Sequence, residues 1–136
     1  MRRVLALSAL LLAAGCVAKA PPAHDLADSK WRFVTIDGEA PADPAKATLS
    51  FAEGDLGANV GCNGMGGEWR VEANRLIAGP LVATQMYCDG PVWDQEQAVG
   101  ALLVAAPVIE LGGEELTLRS SGHEARLERV SPANAD

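Results

Sequence analysis

The chain has 136 residues and carries 18 Asp+Glu against 11 Lys+Arg, a formal net charge of −7. A surface this acidic repels nucleic acid and anionic headgroups, so polyanionic partners are excluded as a class. The length suits one small domain, and an odd count of three cysteines makes the redox compartment the first question.

The chain opens MRRVLALSALLLAAGCVAKA. Arg2 and Arg3 form a basic start, and Val4 to Ala14 is an uncharged apolar run. That run is shorter than the roughly 20 residues that cross a bilayer, and it reads as a secretory signal peptide over residues 1–15. The segment LAAGC resembles the lipobox of bacterial lipoproteins. The resemblance implies cleavage between Gly15 and Cys16 and a diacylglyceryl thioether on Cys16. The protein is then expected on the periplasmic side of the bacterial envelope, held to the membrane by lipid on Cys16. Val17 stands where an aspartate would retain the chain at the inner membrane, so the outer membrane is expected. Losing Arg2 and Arg3 leaves 9 Lys+Arg against 18 Asp+Glu, a mature net charge of −9.

Residues 16–29, rich in Ala, Pro and small polar residues, read as a lipidated tether. The folded domain is placed at 30–130 and a flexible tail at 131–136. With Cys16 assigned to lipid, Cys62 and Cys88 remain, and an oxidising compartment permits them to pair. Closing a loop across 26 positions contributes about 3.5 kcal/mol by the chain-entropy estimate, provided the Cα atoms lie within about 7 Å.

Most of the domain reads as strands. WRFVTI (31–36) alternates Trp31, Phe33 and Thr35 against Arg32, Val34 and Ile36, and Asp37-Gly38 marks a turn. ATLSF (47–51) places Ala47, Leu49 and Phe51 on one face, and LGANV follows after Glu53-Gly54-Asp55. EWRV and RLIA flank Glu72-Ala73-Asn74, a hairpin signal. PLVATQMYC (80–88) is extended and apolar. One helix then interrupts: Gly90-Pro91 is a helix start, and Val92, Glu96, Val99, Leu102, Leu103 and Ala106 recur at helical spacing up to Pro107. PVIEL, ELTLRS and EARLERV follow, with turns at Gly112-Gly113 and Ser121-Gly122. The expectation is an α+β fold: a single small domain with a curved, mainly antiparallel sheet and one inserted helix near residues 91–106. Trp31 and Trp69 are assigned to the core, because large rings dominate small cores.

The stretch VGCNGMGGEW (60–69) admits several chemistries. A phosphate loop needs Lys-Ser/Thr after its glycines, and here Glu68 follows Gly66-Gly67. A nucleophilic thiol would pair Cys62 or Cys88 with His123, and a zinc site would use the same residues without a Cys-x-x-Cys knuckle. Calcium would draw on Asp89, Asp94 and Glu96, but the alternating oxygen ligands of an EF-hand loop are missing. Those acids are read instead as helix capping by Asp89 and dipole matching by Asp94 and Glu96. No metal and no cofactor is expected. The favoured reading is a structural turn, with glycines for tight backbone, Asn63 as a turn residue, and Cys62 fixed to Cys88. Met65 and Tyr87 are the candidates for exposed contact with a partner.

The segments WRFVTIDG, ATLSF, NVGCNGMGGEW, ATQMYC, EQAVGALL and ELTL resemble, in order and spacing, the META domain of HslJ-like bacterial envelope lipoproteins. The resemblance covers roughly Lys30 to Val130. Its most specific part is Gly61-Cys62-Asn63 with Gly67 and Trp69, then Thr84, Met86 and Cys88. Gln85 and Tyr87 depart from the basic and small residues common there. The resemblance implies a non-enzymatic role in stress response and envelope maintenance, including novobiocin tolerance. Some relatives help secretion machinery. The expected partner is an envelope protein or small ligand. The alternatives are a periplasmic enzyme using Cys62 or Cys88 with His123, and a pilot or inhibitor protein docking a secretion component.

Overall fold

The computed structural model of the chain describes residues 23–120 and 122–132. The segment expected to be a signal peptide (1–15), Cys16 with its expected lipid, the expected tether up to residue 22 and the tail from 133 lie outside the described residues. In chain order the elements are α1 (Ala23–Leu26), β1 (Ser29–Ile36), β2 (Thr48–Phe51), β3 (Asp55–Asn59), β4 (Gly64–Glu72), β5 (Arg75–Ala78), β6 (Val82–Ala83), α2 (Gly90–Val104), β7 (Val108–Gly112), β8 (Glu115–Ser120) and β9 (His123–Arg129).

Among the described residues every strand pairing is antiparallel. Eight strands form a ring in the order β1-β2-β3-β4-β5-β7-β8-β9, and β9 returns to β1. The expected curved sheet is therefore a closed barrel, mostly β, with one long helix inserted. Two long-range joints make the closure. The first and last strands pair through Trp31↔Arg129 and Phe33↔Leu127. β5 meets β7 at Arg75↔Val108, flanked by Leu76 N–H to Pro107 O at 2.9 Å and Ile109 N–H to Asn74 O at 2.9 Å. The other neighbours in the ring are consecutive strands, with β1 and β2 joined by the longer connection 37–47. At Asp37-Gly38 and Ala73-Asn74 both central residues take positive φ, the type I′ pattern that matches strand twist.

The barrel interior holds Trp31, Phe33, Leu49, Phe51, Leu56, Leu76, Ile109, Leu116, Leu118 and Leu127, all buried. The parity of β1 departs from simple alternation. The register shifts between Phe33 and Thr35, so Ile36 turns inward at 3% exposure while Val34 keeps the outward face that alternation gives it. A bulge adds one residue to one strand and flips the face of everything after it. Trp69 packs against the core with its ring edge-on to Phe51, centroids 4.8 Å apart.

The domain begins ahead of Lys30. Leu26 is fully buried, and Ser29 is the first residue of β1. The Ser29 hydroxyl donates to Leu26 O and accepts from Trp31 Nε1 at 2.7 Å. Arg129 lies over the Trp31 ring at 4.4 Å and donates to Asp25 O. Residues 25–29, the end of the segment read as a tether, thus pack as part of the fold.

Helix α2 packs on β1, β5, β8 and β9 through Val99, Leu102 and Leu103. Ala106, placed on the helical stripe by sequence, lies beyond the helix end with φ 49°. Gln95 is buried and fixes the loop after β1, accepting from Ala42 N–H at 2.8 Å and donating to Ala40 O at 2.9 Å.

Candidate functional site

Three segments converge beside the helix start: the turn after β3, the strap from Gly79 to Asp89, and the first turns of α2. The turn needs Gly61, whose φ is +137°. A Cβ there would stand 3.0 Å from Asp43 Cβ and 3.3 Å from Val92 Cγ1, so a side chain would force the helix start away. The Gly61 N–H donates to Asn59 Oδ1 at 2.7 Å.

Cys62 and Cys88 are joined sulfur to sulfur across 26 positions, with Cα atoms 6.4 Å apart. That separation lies within the range a disulfide can bridge. The bond ties the turn to the last residues of the strap.

Asn63 is the hub of the site. It is 2% exposed, and every polar atom of its side chain is used. Its Oδ1 accepts from Thr84 Oγ1 at 2.9 Å and from Met86 N–H at 2.7 Å. Its Nδ2 donates to Met86 O at 3.2 Å and to Glu96 Oε1 at 2.8 Å. Its backbone N–H donates to Glu96 Oε2 at 2.7 Å. Thr84 Oγ1 also accepts from Gly64 N–H at 3.1 Å. Glu96 is 6% exposed, so this carboxylate is a buried group satisfied by one asparagine.

These contacts correct three sequence expectations. Asn63 acts through its side chain, which spans from helix to strap, and its backbone is not in the left-handed region. Glu96 faces inward to Asn63, and neither it nor Asp94 lies in the first helical turn, where the dipole acts. Asp89 holds the N-cap position with extended backbone, yet its side chain makes no capping hydrogen bond. A sequence signal for the Asn63–Glu96 pair did exist: Glu96 falls on the apolar stripe of the helix, where a carboxylate must find donors.

The glycine-rich segment is also redistributed. Gly64, Gly66 and Gly67 belong to β4 rather than to a loop. A Cβ on Gly67 would lie 2.6 Å from Pro80 O, so the strap crosses β4 where only hydrogen fits. Met65, expected at an exposed tip, is buried at 8% exposure, because residue 65 pairs with Ala58 inside the barrel wall. A Cβ on Gly100 of α2 would be 3.6 Å from its sulfur. Tyr87 is 90% exposed, as the partner-contact reading requires.

The catalytic and zinc alternatives also met geometry. His123 Nδ1 lies 2.8 Å from Asp37 Oδ2, at the β8–β9 hairpin end, and does not join the sulfurs. Burial pushes the Asp37 carboxyl up, but the Glu124 N–H and the His123 ring together hold it below its ordinary 3.8. Near the sulfurs the group is Cys62, Cys88 and Glu96, with ligand atoms within 4.8 Å of one another. While the sulfurs are bonded to each other and Glu96 is bonded to Asn63, the group is a structural clasp. Binding a metal there would require the dithiol.

The META domain family model matches residues 24–132. An NMR structure of a protein from Burkholderia xenovorans superposes with a TM-score of 0.65 at 21% identity, covering 91% of this chain and 99% of that one. A second NMR structure gives a TM-score of 0.66 at 20% identity, covering 77% of this chain and 92% of the other. At these identities the likeness is one of fold. Comparison with curated proteins gave no match.

Proposed function

Because the chain belongs to the META domain family, we propose that it is a non-enzymatic, lipid-anchored protein of the bacterial envelope, a binding or helper module in envelope maintenance under stress. Lipid on Cys16 holds it on the periplasmic side, at the outer membrane. The observation that carries this reading is the state of the residues that could do chemistry. Cys62 and Cys88 are joined, both Glu96 oxygens accept from Asn63, and His123 is engaged by Asp37. A cysteine nucleophile needs a free thiolate beside a base, and here the sulfurs serve as a cross-link. The same cross-link fits export, since disulfides persist in oxidising compartments. Tyr87, exposed and next to Cys88, supports a docking role, including that of a pilot or inhibitor for a secretion component.

Two measurements test the proposal. Radiolabelled palmitate should label the wild-type chain in cells and fail to label Cys16→Ala; a labelled Cys16→Ala variant defeats the anchor. The purified native protein should titrate with no sulfhydryl at Cys62 or Cys88 until it is reduced. A single reactive thiol in the unreduced protein would instead favour the enzyme.

A further inference from the structure

The strap is held with more force than its burial explains. From Val82 to Tyr87 its side chains are exposed: Val82 is 74% exposed, Met86 59% and Tyr87 90%. Yet its backbone is fixed by Asn63 at Met86, by Gly64 at Thr84, and by the disulfide at Cys88. Apolar side chains presented on an immobilised backbone have already lost the freedom that binding would otherwise remove. Among the described residues, the strap also carries the one strand outside the ring. β6 pairs with β4 alone, through Met65↔Ala83 and Gly66↔Val82, and its other edge has no neighbouring strand among the described residues. A free edge is a template for another strand.

Charge identifies the occupant. Asp89 is the last residue of the strap, and Asp94 sits beside the 39%-exposed Trp93 in the first turns of α2. Asp55 and Glu68 stand directly opposite each other on β3 and β4, a like-charge pairing that costs stability. None of these four carboxylates forms an ion pair among the described residues. The arginines that do form ion pairs, Arg70, Arg119 and Arg129, meet other acids. Exposed aromatic faces and unpaired carboxylates both attract cations. We infer that the strap Val82–Tyr87 is a docking edge for an extended, lysine- or arginine-bearing segment of a partner protein. That segment adds to β6 as a strand, with its apolar side chains on Val82 and Tyr87 and its cations toward Asp89 and Asp94. This rests on the reading of the chain as a binding module, and it specifies the surface and the partner's chemistry.

The test uses the full-length chain in uncharged detergent and a fluorescein-labelled peptide of alternating lysine and valine, read by fluorescence anisotropy. Saturable binding that weakens with salt is expected. Tyr87→Ala should weaken it about tenfold, as loss of a central aromatic contact does. Asp89→Asn with Asp94→Asn should weaken it and flatten the salt dependence. The same peptide N-methylated at every residue should not bind, since neither of its edges can then donate along a strand. The inference is overturned if a glutamate–valine peptide or the N-methylated peptide binds as well. It is equally overturned if Tyr87→Ala binds normally while melting like wild type. Tyr87-dependent binding to phosphatidylglycerol vesicles would make the strap a lipid contact instead. A Tyr87-dependent dimer in sedimentation would make it a self-association surface. A chain that takes up palmitate but ignores the peptide refutes the docking edge alone, whereas loss of palmitate labelling bears only on the anchor.

Discussion

In the β8–β9 hairpin, Leu116 stands opposite Leu127 and Leu118 opposite Ala125, all of them buried. In the strap, by contrast, Val82, Met86 and Tyr87 face outward, and the segment is held by Asn63, by Gly64 and by one disulfide. Both segments are fixed, but by different physics. Apolar burial is non-directional and holds the hairpin wherever its leucines fill the core. Hydrogen bonds are directional and can place a backbone that buries nothing. A domain that must present a rigid surface needs the second kind, because the first would draw the presenting side chains inward.

The comparison can be broken from either side. Leu116→Ala should cost about 3–4 kcal/mol by removing a fully buried leucine from the barrel, measured by urea unfolding. Unchanged stability would mean the wall is not held by its core. Asn63→Ala should cost about 2–3 kcal/mol, because it strips Glu96 Oε1, Thr84 and Met86 of their partner inside a buried site. Hydrogen exchange should then speed at Met86 more than in β8 and β9. Uniform acceleration would mean that strap and wall are one cooperative unit.

Gly67→Ala should cost about 1–2 kcal/mol through strain, since its Cβ meets the Pro80 carbonyl oxygen rather than a movable side chain. The change should appear in amide shifts of the strap and leave the β8–β9 hairpin in place. The smallest effect lies where the end of β1 meets the start of β9. Asp37 has a folded pKa below its unfolded value, so the stability it adds is present above the ordinary carboxylate range and is lost as pH falls through the folded value. Wild type and Asp37→Asn should differ by less than about 1 kcal/mol at neutral pH, because the site is partly solvated, and should converge in acid.

Local order was readable from residue pattern alone. The strands near 31–36, 47–51, 75–78 and 115–120 follow from alternation, and the helix from apolar spacing between Gly90-Pro91 and Pro107. The turns at Asp37-Gly38 and Ala73-Asn74 are marked by Asp37, Gly38 and Asn74, which accept positive φ, while Ala73 is carried into it by the turn. Family resemblance likewise rested on short segments that keep their order. Each of these features depends on neighbours within a few positions, which is what a sequence displays.

What the tertiary structure decided is everything that joins distant residues. Closure of the barrel depends on β1 meeting β9, and no local pattern states which strands become neighbours. The bulge that turns Ile36 inward appears only against its partner strand. Met65 moved from expected tip to core because its glycine neighbours proved to be strand, their missing side chains making room for the strap at Pro80. Asn63 and Glu96, 33 positions apart, became the polar hub because burial obliges a carboxylate to find donors, and the fold delivered them. Sequence supplies the groups and their local geometry; which groups lose water together, and so must satisfy one another, is settled only when the chain has packed.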